Sequence, residues 1–60
     1  MNDDVEFEIY VKYLVQMYCS KGSKSWTDYE RAKKACIAYF NPTEERYQVM
    51  IKIITDWLEL

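Results

Sequence analysis

The stretch VEFEIYVKYLVQMYC, residues 5–19, decides the fold because it carries two periodicities at once. Every odd position is apolar (Val5, Phe7, Ile9, Val11, Tyr13, Val15, Met17, Cys19), with Glu6, Glu8, Lys12 and Gln16 among the residues between. Alternation with β-branched enrichment is the mark of a half-buried strand. A helical pattern is present as well, since Phe7, Tyr10, Val11, Leu14, Met17 and Tyr18 share one helical face. Asp3 followed by Glu6 has the residue types of a variant capping box.

Length separates the two. As one strand the stretch would extend about 50 Å, whereas a compact chain of this size has a radius of gyration near about 10 Å. As a helix it spans about 23 Å, which fits. A shorter strand over residues 5–11 finds no partner strand elsewhere in the sequence and could pair only across a dimer. The stretch therefore reads as helix, and an N-terminal strand plus two helices in an intertwined dimer is the alternative architecture.

Further along, SKGSKS at residues 20–25 reads as a solvated turn in which Gly22 ends the first helix. Thr27 and Glu30 match a T-x-x-E capping box, Trp26 precedes that cap, and Arg31 occupies the position that would pack on it. Tyr29, Ala32, Cys36, Tyr39 and Phe40 follow at helical spacing, and Ala32, Ala35 and Ala38 permit close helix approach. Asn41 then serves as cap, Pro42 as first helical residue and Glu44 as capping-box carboxylate of a last helix. The expectation is all-α: one domain over residues 1–60, a three-helix bundle with helices at about 4–20, 28–40 and 42–59.

The last helix is apolar over more of its circumference than a bundle requires. Tyr47, Met50, Ile51, Ile54, Trp57 and Leu58 form the core stripe, and Val49, Ile53 and Leu60 continue it around the cylinder. The arc spans roughly 200°, against roughly 100° for an ordinary core-facing helix. The flank Val49, Ile53, Trp57 and Leu60 is accordingly the expected partner-binding surface.

Composition narrows the function classes. Half the residues are apolar, with two Trp, six Tyr and two Phe, too many core-formers for a disordered chain. With 60 residues the domain is marginal and gains from a partner subunit. There is no His, so the commonest general base and metal ligand is missing, and the acid pairs Asp3/Asp4 and Glu44/Glu45 suit helix starts. Cys19 and Cys36 cannot close a zinc site by themselves and read as small buried hydrophobes in a reducing compartment. No catalytic residue, cofactor, metal or small-molecule substrate is expected. No membrane span or signal peptide stands out, and a cytoplasmic protein is expected.

The net charge is −2, with acids at Asp3, Asp4, Glu6 and Glu8 and a candidate basic patch at Lys21, Lys24, Arg31 and Lys34. A helix-turn-helix reading would present Glu44 and Glu45 to the phosphates, which disfavours nucleic acid. The sequence points to a non-enzymatic protein–protein interaction module, an inhibitor or regulator of a larger protein, with self-association through the last helix as a further expectation. Small acidic helical proteins of this kind are often encoded by phages or mobile elements to block host machinery, an association of size and character and not a motif. A small dimeric nucleic-acid-binding transcriptional regulator is the alternative.

Overall fold

The computed structural model describes residues 3–60, and its regular structure is three helices. They are α1 (Asp3–Tyr18), α2 (Trp26–Phe40) and α3 (Glu44–Leu58), each packed against the other two. The radius of gyration is 10.6 Å and the extents are 33 × 18 × 17 Å, too short for a single strand over residues 5–19.

The strand alternative is thereby overturned: residues 5–11 lie inside α1, and no strand occurs among the described residues. The alternation has a helical origin. Odd positions taken every four residues form two rows on opposite sides of a helix. The inner row, Phe7, Val11, Val15 and Cys19, is buried in the core. The outer row, Val5, Ile9, Tyr13 and Met17, is 49, 57, 68 and 70% exposed. Two apolar rows half a turn apart imitate a period of two.

The core is completed by Ala32 and Cys36 from α2 and by Met50, Ile54 and Leu58 from α3. The face of α1 that meets them differs from the expected one. Val15 and Cys19 take the buried places, while Tyr10, Met17 and Tyr18 are exposed. Ala32 and Cys36 are small enough for α2 to lie close to its neighbours, and Phe7 meets Phe40 edge-on at 5.4 Å.

Both internal helix starts are shifted by two residues from the expected caps. Ser25, in extended backbone, accepts the Asp28 N–H through its hydroxyl, so α2 begins at Trp26. Thr43 does the same for the Arg46 N–H and starts α3. Asn41 closes α2 instead of opening α3. It sits in the left-handed region (φ 46°), which Asn tolerates, and donates its N–H to Ile37 O at 2.9 Å. Pro42 lies between the two helices and prevents their fusion.

The C-terminus of α3 has a full set of partners for the four carbonyls that a helix leaves open. Glu59, left-handed at φ 59°, donates to Asp56 O and Thr55 O, and the Leu60 N–H reaches Thr55 O at 3.0 Å. The α1–α2 connection supplies the rest: Gly22 N–H bonds Trp57 O at 2.8 Å and Lys24 N–H bonds Leu58 O at 2.9 Å. Residues 20–25 are therefore more than a solvated turn, since they cap the third helix. Gly22 is at φ 68°, and a Cβ there would come within 2.6 Å of Glu59 Oε2.

Candidate interaction surface

The flank expected on α3 is divided by the fold. Val49 and Leu60 are exposed, at 38 and 39%, while Ile53 and Trp57 are half-buried and packed against the core. The Trp57 indole N–H donates to Cys19 O at 3.1 Å, so the ring locks α3 to the end of α1. Ile53 and Trp57 line a groove with Lys12, Gln16 and Lys21, whereas Val49 borders a separate depression beside Glu8 and Arg46. Leu60 lines neither.

Three of the four basic residues lie beside local partners. Lys24, through its backbone, and Lys21, next to Gly22, lie at the C-terminus of α3, whose last turn has no base of its own. Their charges suit the negative end of the helix dipole. Lys21 Nζ stands 6.0 Å from the Trp57 ring centroid. Arg31 pairs with Asp28 at 3.9 Å on its own helix instead of stacking on Trp26. Trp26 meets Tyr29 edge-on at 5.3 Å. Lys34 is exposed on α2.

Chemistry-bearing groups are few. Among the described residues no cluster of three His, Cys, Asp or Glu side chains could hold a metal ion. Cys19 and Cys36 are free and buried. Burial, reinforced by Cys19, pushes the Cys36 thiol up to about 11. Burial, with Asp28 next, raises Cys19 in the same direction. Both are protonated and shielded at neutral pH, the opposite of a reactive thiolate. Among the described residues no helix is long and apolar enough to cross a membrane.

The larger apolar surface is elsewhere. Tyr10, Tyr13, Leu14, Met17, Tyr39 and Phe40 line a groove of about 190 Å³ between α1 and α2. On one side it continues into the outer row through Tyr13 and Met17, and on the other it carries Tyr39, which is 75% exposed. Asp3, Glu6 and Arg46 lie at one end, next to Tyr10 and Phe40, and the exposed Lys12 and Gln16 flank the outer row. Aromatic and Met side chains of this kind are enriched in interface cores, and a contiguous exposed patch of them marks an association surface. The sequence signal for this face was the odd-position alternation itself, whose second row has no place in the core.

Comparison of the chain with protein-family models, with curated proteins and with solved structures gives no match.

Proposed function

We propose that this chain is a non-enzymatic protein-binding module that acts on a larger protein as an inhibitor or regulator. Its docking face is the outer side of α1 with the adjoining α1–α2 groove. The observation that carries this reading is the exposed row Val5, Ile9, Tyr13 and Met17, which has the residue types of a core and is not used by one. Three tyrosines, Tyr10, Tyr13 and Tyr39, supply the rigid amphipathic anchors on which hot spots are usually built. The α3 flank contributes less, because Ile53 and Trp57 are engaged in packing.

The test is affinity capture from the source cells with three baits: the unaltered chain, Tyr13→Glu with Met17→Glu, and Lys34→Glu as a surface control. A protein retained by the first and third baits and lost from the second supports the reading. Retention by all three refutes this choice of face.

A further inference from the structure

Beyond the outer face of α1, we infer that the groove between α1 and α3 is a second docking site, and that it takes an acidic peptide segment of a partner protein. The segment places one large apolar side chain on the groove floor, between a carboxylate at Lys12 and another at Lys21.

Shape and size exclude other occupants. The buried Val15 and the half-buried Ile53 and Trp57 form an apolar floor, and the exposed Lys12, Gln16 and Lys21 form the rim. The Trp57 indole is held by its bond to Cys19 O at 3.1 Å, so the floor is in place before a partner arrives. The volume is about 240 Å³, below the roughly 300–1,000 Å³ of a small-molecule or cofactor site. An anchoring side chain suits that space, and a tryptophan on the floor suits a hot spot.

Charge selects the chemistry of the occupant. The ion pairs among the described residues join Arg31 to Asp28, Lys33 to Glu30 and Arg46 to Asp4, and none uses Lys12 or Lys21. Asp56, the one acid lining the groove, pairs with neither lysine. The rim is therefore net basic on a chain whose net charge is −2. Lys21 Nζ stands 6.0 Å from the Trp57 ring centroid, at the edge of the floor. Lys12 lies about 9 Å before the end of α1 and Lys21 follows that end, which spaces the two cations for two anions. An apolar floor between two unpaired ammonium groups complements an apolar side chain between two carboxylates. Nucleic acid suits it less, because two cations neutralise few phosphates and Asp56 would face the backbone.

Selection of a random peptide library, displayed on phage, against the full chain tests the site. The expected consensus has two Asp or Glu residues flanking one large apolar residue. Peptides of that consensus should shift the Trp57 emission, read in Trp26→Phe so that no second tryptophan contributes. Their affinity should fall about tenfold or more with Lys12→Glu and Lys21→Glu together. If that variant loses its helical circular dichroism, Lys12→Gln with Lys21→Gln serves instead. Tyr13→Glu with Met17→Glu should leave the affinity unchanged, which separates this site from the outer face of α1. No enrichment, a consensus without acids, or affinity indifferent to the lysine variants would each overturn the inference. Affinity lost with Tyr13→Glu and Met17→Glu instead would overturn this site and support the outer face. Displacement of the peptides by an equal concentration of oligothymidylate would assign the rim to phosphate and overturn the peptide.

Discussion

The Trp57 indole donates to the carbonyl of Cys19 at 3.1 Å, tying residues 38 apart in the chain. The backbone of the same tryptophan accepts from Gly22 at 2.8 Å. One residue thus fastens the end of α3 to the α1–α2 connection through its indole N–H and its backbone carbonyl, and its ring packs against the core. The two bonds turn a short loop into a structural element.

Trp57→Phe keeps most of the apolar contact and deletes the indole donor, leaving a part-buried carbonyl unpaired. The expected cost is about 1–2 kcal/mol, or a fall in Tm of about 8–16 °C for a domain of this size. Trp26→Phe, at an exposed site, should stay within about 0.5 kcal/mol. Thermal denaturation of the two variants side by side checks the contrast.

Gly22→Ala should destabilise by about 1–2 kcal/mol, because an L-residue is strained at φ 68°. The nearest atom to the new Cβ is the end of the Glu59 side chain, which can swing aside. Glu59→Ala should therefore fail to rescue the variant. Full rescue in urea denaturation would show that crowding, and not backbone strain, selects glycine.

Ser25→Ala should cost about 1 kcal/mol and Thr27→Ala within about 0.5 kcal/mol, because Ser25 holds the Asp28 N–H and Thr27 is an exposed residue of the first turn. Equal losses in helical stability would contradict the cap assignment.

Cys36 gives a pH dependence with a definite sign. Its thiol is raised from 9.0 to about 11 in the folded protein, so between those values the unfolded chain releases a proton that the folded chain keeps. The stabilisation is complete below about pH 9 and declines as pH rises toward about 11. The decline is on the order of 2 kcal/mol. Urea denaturation at pH 8 and pH 10.5 should show a steeper loss for the unaltered protein than for Cys36→Ala, which lacks the titrating group.

Much of this architecture is legible in the sequence, and the exceptions have physical causes. The choice of helix over strand follows from length, and Met50, Ile54 and Leu58 are placed by spacing alone. The caps are not, because Ser25 and Thr27 both precede Asp28 closely, and only the backbone conformation decides which hydroxyl bonds an amide. The core face of α1 is fixed by where α2 and α3 dock, which moves the buried seam toward Val15 and Cys19 and leaves Tyr10 and Met17 outside. Trp57 looks like surplus apolar surface on a helical wheel; its hydrogen bond to Cys19 is a tertiary contact that no local pattern records.

The central claim is that α1 carries two apolar rows with separate tasks, the inner for folding and the outer for association. Urea unfolding of Ile9→Gln, Tyr13→Gln, Met17→Gln tests it most directly. The account predicts a stability within about 0.5 kcal/mol of the unaltered protein, as for exposed positions. A loss of more than about 2 kcal/mol would place these side chains in the core and remove the ground for a docking face.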